Sequence, residues 1–357
     1  MIKTPEIQII DRQRITDRIK AASLSFLVLT LTLILFLGGQ TIFAREHVNV
    51  HLVVYAFSTQ EEAFTQGIFP AFEHQWEAEN EQDLIIESVF GPSGALAGRI
   101  NLGEPADIAI LSNQRHADLL KFGRRVQMET RPVVISYSPI IIITRPSNPK
   151  GIKDFADLAQ PGLQLLHADP STSGVGEWAI LGEYGSALLE SGRPATAEQQ
   201  LKNIWRNVRL MGSSARAVLL LFEVGAGDAL VTYEHDALLS LEQGNQLEIV
   251  VPKNTIVAQP YAVLVDKNVT TDERPAAEAL IQFILSDTGQ QILNRYFHRT
   301  SNIEDVDFPQ LMNTFTVDDL GGWSQIHQQL ISTYWQEEIE PNLILEPISV
   351  IETPREQ

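Results

Sequence analysis

Four times in this chain a β-rich run breaks at a serine- or glycine-rich turn, and a helical pattern begins at once. The turns are Phe57-Ser58-Thr59, Gly91-Pro92-Ser93-Gly94, Ser171-Thr172-Ser173-Gly174-Val175 and Gly212-Ser213-Ser214-Ala215. Strands that alternate with helices predict an α/β fold of mainly parallel sheets flanked by helices. In such sheets ligands sit beyond the carboxyl ends of the strands, where helix N-termini converge. Each turn offers backbone N–H groups without internal acceptors, rotatable hydroxyls and a close approach over glycine, which together suit an anion. Serine before a helix is also ordinary capping chemistry, and Ser58 stands three residues before Glu61, the spacing of a capping box.

The chain has 357 residues and 44% apolar residues, enough for two lobes with cores of their own. It has no cysteine, which excludes disulfides, thiolate metal sites and a lipidated cysteine anchor. The net charge of −19 argues against nucleic acid as a partner. An anion would therefore be held by local dipoles, against the net charge of the molecule. Residues 21–44 are uncharged, follow Arg12, Arg14, Arg18 and Lys20, and precede Arg45. They read as a signal peptide or an N-terminal membrane anchor, and either places the rest of the chain outside the cytoplasmic membrane.

Two long β-rich runs, Pro132 to Thr144 (broken by Pro139) and Pro260 to Val265, are the expected crossings between lobes. They divide the chain into lobe 1 (46–138 with 261–335), lobe 2 (139–260) and a loose tail (336–357). Tyr233 ends a strand and reads equally as a core tyrosine or a ligand donor. Ser93 has Gly91 two places before it but Ala95 two places after it, so the hydrolase nucleophile elbow is not formed. A phosphate-loop lysine motif is also missing, and an enzyme is not expected. His167, His235 and His298 lack ligand-like spacing, so no metal or other cofactor is expected. Arg216 is expected to support its loop or pair with a carboxylate.

Several segments carry a family resemblance. "RPSNPKGIKDFADLAQPGLQLLHADPSTSGVGEW", "SSARAVLLLFEVGAGDALVTYEHDALL", "GPSGALAGRI" and "FTVDDLGGW" resemble motifs of the sulfate/thiosulfate-binding proteins that serve ABC importers. The resemblance spans residues 50–335. It implies a two-lobed, type II-like binding-protein fold with two hinge crossings, an exported monomer, an ABC permease as partner, and no catalysis. It implies that a desolvated anion is held by backbone N–H groups, serine hydroxyls and an indole N–H. Position by position it points to Ser93, to Ser173, Gly174 and Val175, and to Ala215. Tyr233 stands where the family has tryptophan, Ser58 where it usually has aspartate, and Val175 where it usually has glycine.

A sulfate dianion carries no proton near neutral pH, so a shell of donors suits it. Hydrogen phosphate has an O–H that wants an acceptor, and leaving it unpaired costs about 1–3 kcal/mol. Serine in place of aspartate at position 58 removes one candidate acceptor. The Tyr233 hydroxyl donates from a different place than an indole would, which suits a larger oxyanion such as thiosulfate, molybdate or tungstate. The alternative readings are a membrane-anchored oxyanion sensor of the same fold, or a molybdate-, tungstate- or phosphate-binding protein of that fold.

Overall fold

The computed structural model describes residues 49–301 and 306–346. The candidate signal or anchor segment and residues 347–357 of the expected tail lie outside the described residues. The first strand, β1 (Val50–Phe57), leads into a helical run that ends in α1 (Phe69–Asn80). Then come β2 (Leu84–Gly91), α2 (Ser93–Leu102), β3 (Ile108–Leu111), α3 (Gln114–Phe122) and β4 (Val133–Val134). The chain continues through β5 (Ser138–Thr144), β6 (Leu165–Ala168), α4 (Gly174–Ser191), α5 (Pro194–Trp205), β7 (Val208–Gly212) and α6 (Ala215–Glu223). Next are β8 (Ala229–Tyr233), α7 (Glu234–Glu242), β9 (Glu248–Val250), β10 (Asn254–Ala258) and β11 (Tyr261–Leu264). Last come α8 (Arg274–Leu285), α9 (Asp287–Arg295), β12 (Asn313–Phe315) and a helical run from Trp323 to Asn342.

The strands form two sheets, one per lobe. The first has the order β2-β1-β3-β11-β4, and the second β12-β10-β5-β8-β6-β7 with β9 against β5. Strands β1, β2 and β3 run parallel, as do β6, β7 and β8. These are the strands that end in the four turns, so all four turns lie at carboxyl edges. The parallel strands β3, β6 and β8 read as nearly continuous apolar runs because helices cover both faces, whereas β2 at the sheet edge is partly exposed. Every residue of β3, β5, β6 and β8 is buried.

The chain passes between sheets at residues 135–137 and again at Gln259-Pro260, the segments that join β4 to β5 and β10 to β11. Pro139 does not break its strand. It is the second residue of β5 and pairs with Val257 of β10, and the first passage lies just before it.

Two other expectations are corrected. The capping box at Ser58 does not form: Phe57 precedes the first turn, and no side chain caps it. Pro70 sits in the first turn of α1, directly after a π-type turn at Phe64–Ile68 in which the Phe69 N–H reaches the Phe64 carbonyl. A wider turn there accommodates the N–H that proline lacks. The residues after 312, expected in lobe 1 and then in a loose tail, build onto the second sheet. β12 pairs with β10, Trp323 packs on Trp178, and Trp335 is fully buried against Trp205. The Tyr334 hydroxyl donates to the Glu198 carbonyl of α5, and Lys202 pairs with Glu338.

This packing makes the C-terminal run part of lobe 2. Trp335→Ala is expected to lower unfolding free energy by about 3–5 kcal/mol, the range for a large buried aromatic. Urea denaturation followed by tryptophan fluorescence checks it. A loss below about 1 kcal/mol would show a run that is only draped on the surface.

Candidate functional site

Burial of the residues at the four turns follows from how the lobes meet. Ser58, Ser93, Ser173, Ala215 and Tyr233 are all at most 8% exposed, although each ends or follows a strand at a sheet edge. The carbonyl of Thr172 in lobe 2 accepts from Gly94 N–H (3.0 Å) and Ala95 N–H (3.3 Å) at the start of α2 in lobe 1. The Trp178 indole donates to the Ser112 carbonyl at 3.1 Å, again across the cleft. An added Cβ on Gly174 would overlap the Ser112 hydroxyl, so only glycine lets β3's end sit on the start of α4. The lobes are closed on each other.

The donors at the turns remain free. First-turn N–H groups have no acceptor inside their own helix. Among the described residues, the N–H groups of Ser58, Ser93, Gly174, Val175 and Ala215 donate to no other group either. The Ser173 hydroxyl makes no cap bond, although Ser173 precedes α4. By contrast Ser214, beside Ala215, does cap: its hydroxyl accepts from Ala217 N–H at 3.1 Å. The Tyr233 hydroxyl is buried and has no hydrogen-bond partner. Burial first, then the charges of Asp236 and Glu177, push its phenol well above the usual tyrosine range despite the Ser112 hydroxyl beside it, so Tyr233 keeps its proton.

Ser93 contributes differently from Ser173. Its hydroxyl accepts from Ser112 N–H (2.9 Å) and meets His116 Nδ1 (2.9 Å), so only its backbone N–H is free. His116 Nε2 in turn lies 3.3 Å from a Glu177 carboxylate oxygen. The connectivity is that of a serine–histidine–carboxylate relay, but the serine is enclosed and pinned by a backbone N–H. The chain fixes the turn.

Glu177, in the first turn of α4, ties the lobes together. It accepts from Asn113 Nδ2 (2.7 Å) and pairs with Arg115 (2.9 Å), both on lobe 1, and lies 3.5 Å from His327. Burial alone would raise its pKa, but the His116 ring, bonds from His116 and His327, and the Arg115 charge hold it far below the usual carboxylate range. On the other side of the cleft Arg216, next to Ala215, pairs with Glu62 of lobe 1. Pairing with a carboxylate is what the sequence led us to expect of Arg216.

Behind Tyr233 lies a buried histidine stack. His235 stacks on Tyr233 (5.1 Å) and on His298 (4.1 Å) and bonds Ser138 Oγ (2.9 Å) and Thr59 Oγ1 (3.0 Å). No group of three or more potential metal ligands occurs among the described residues. The sequence gave no sign of Ser112 and Gln60. Both carry buried polar atoms without partners, Ser112 Oγ and the two amide atoms of Gln60. A cavity of about 590 Å³, lined by Lys121, Phe122 and Met128 among others, includes none of these residues.

The chain matches the family of bacterial extracellular solute-binding proteins over residues 52–299. It is 31% identical over 298 residues to a sulfate-binding protein of Synechococcus elongatus, covering 79% of this chain and 83% of that one. It is 28% identical over 317 residues to a thiosulfate-binding protein of Pseudomonas aeruginosa, covering 82% and 91%. The fold is similar to that of the sulfate-binding protein SubI from Mycobacterium tuberculosis, with a TM-score of 0.71, 24% identity, and coverage of 80% of this chain and all of that one.

His298 gives a pH prediction. Burial pushes its pKa down to about 3, so the folded protein keeps it neutral where the unfolded chain takes up a proton. Below about pH 6.5 the unfolded state therefore binds more protons, and stability falls as pH falls toward 3. His298→Asn is expected to reduce that acid loss by a few kcal/mol, read from urea midpoints between pH 7 and pH 4. Parallel curves for the two proteins would contradict it.

Proposed function

The chain belongs to the bacterial extracellular solute-binding proteins, and we propose that it captures a tetrahedral oxyanion, sulfate or thiosulfate, between its lobes. It then delivers the anion, as a monomer, to an ABC permease. One observation carries this reading: seven donors with no acceptor of their own come from turns on both lobes. They are the N–H groups of Ser58, Ser93, Gly174, Val175 and Ala215, and the hydroxyls of Ser173 and Tyr233. All of them are neutral.

A charge-assisted hydrogen bond contributes about 1.5–3 kcal/mol net. Several such bonds in a closed, dry cleft hold a dianion without a buried cation. Arg115 and Arg216, the cations nearest to the turns, are already paired with Glu177 and Glu62. The relatives' ligands support sulfate and thiosulfate. The uncharged segment 21–44 fits export; kept as an anchor, it would hold the lobes at the membrane surface, and N-terminal sequencing of the mature protein separates the two.

Thermal melts of the purified protein, stripped of bound anion, test the reading. Sulfate and thiosulfate are expected to raise the midpoint, and no shift with sulfate, thiosulfate or molybdate ends the proposal. Ser173→Ala is expected to weaken sulfate binding about 10- to 100-fold, the loss of one charge-assisted bond. Its unliganded melting midpoint should stay within about 2 °C of the parent, because the hydroxyl makes no cap bond to α4. Unchanged affinity would remove Ser173 from the shell.

A further inference from the structure

Ser112 is held in an unusual way. Its N–H donates to Ser93 Oγ at 2.9 Å, and its carbonyl accepts from the Trp178 indole at 3.1 Å. With the backbone pinned on both sides, the side chain is directed over Gly174, at the start of α4. It is 1% exposed, and its hydroxyl has no partner. The Tyr233 hydroxyl, from the other lobe, lies beside it and is also buried and without a partner. Two orphan hydroxyls thus meet where the free N–H groups of Gly174 and Val175 emerge. Buried polar atoms left unpaired cost about 1–3 kcal/mol each, so a ligand that engages both is strongly favoured.

Hydroxyls differ from the rest of the shell. Backbone N–H groups only donate, whereas serine and tyrosine hydroxyls donate and accept. We propose that Ser112 and Tyr233 form a hydroxyl edge of the binding cleft, and that this edge admits singly protonated tetrahedral oxyanions, hydrogen phosphate and hydrogen arsenate, alongside fully deprotonated ones. The proposal rests on the oxyanion-binding reading above. With sulfate, both hydroxyls donate toward the anion. With hydrogen phosphate, the P–O–H donates to Ser112 Oγ, Ser112 donates to Tyr233 Oη, and Tyr233 donates to a second phosphate oxygen. Every proton in that cycle has an acceptor, and none is transferred. Glu177, in the first turn of α4, is filled by Asn113, Arg115 and His116 and is not free to serve.

Titration calorimetry on the anion-stripped protein at pH 8 tests it, with sulfate and inorganic phosphate as probes. The parent is expected to bind both, phosphate within about 100-fold of sulfate. Ser112→Ala and Tyr233→Phe are each expected to lose at least ten times more affinity for phosphate than for sulfate. Melting midpoints near the parent's confirm that the variants fold. Phosphate weaker than sulfate by more than 10,000-fold in the parent overturns the proposal, as do equal losses for the two anions or no loss for either. If the parent binds sulfate, those failures leave the oxyanion reading intact. If it binds neither anion, both fall together.

Discussion

A helix cannot satisfy the N–H groups of its own first turn, and this molecule aims several such turns at one place. β1, β2, β6 and β7 all end at the carboxyl edge of a parallel group, and a helical turn follows with at most two residues intervening after β1, β2 and β7 and five after β6. The orphan donors of Ser58, Ser93, Gly174, Val175 and Ala215 follow from topology before any side chain is considered. Helix dipoles then add a positive potential at the same point. The fold produces the anion cradle, and the turn residues only keep it open.

The electrostatics look contrary at first, because the chain carries a net charge of −19 and places Glu177 in the first turn of α4. A buried carboxylate there would repel an anion if it stood alone. It does not: Arg115, His116, Asn113 and His327 surround it, three of them from the opposite lobe or its margin. Glu62 and Arg216 repeat the arrangement on the other side of the cleft. These two carboxylates are thus used in holding the lobes together, and the free donors at the turns are neutral. A neutral shell avoids the desolvation penalty of bringing a free cation into a dry cleft.

The fold class and the four turns were legible in the sequence because both are local. A strand, a turn and a helix start are written within a dozen residues, as in Leu165 to Trp178. The first two crossings between lobes were legible to within a few residues, since a β run must be long to serve two sheets, whereas the third passage, between β11 and β12, was not. What was not legible depends on distant partners. Ser58-x-x-Glu61 has the capping spacing, but closure against α6 and the buried Thr59 and Gln60 set that turn instead. Only three residues of β12 pair with β10, too few to announce a strand, and the helical run behind them is placed by the Trp335–Trp205 contact. Ser112 sits at the end of an apolar strand with no Gly or turn motif after it. Its place in the cleft comes from Ser93, Trp178 and Gly174, which lie 19, 66 and 62 positions away in the chain.

Closure and ligand capture are coupled through contacts that exist only when the lobes meet. The Thr172 carbonyl takes the donors of Gly94 and Ala95 and so leaves Ser93 N–H as the donor that α2 presents. Ser112 reaches over α4 only because position 174 has no Cβ. In the proposed capture cycle an open form would leave these groups to water, which satisfies them. In the closed form without an anion, the hydroxyls of Ser112 and Tyr233 and the free N–H groups are buried with nothing to bond. The penalty for those unpaired groups falls on the empty closed state alone. An anion removes it, so the ligand shifts the lobes toward closure by the difference in its interactions with the two forms, without touching the hinge segments.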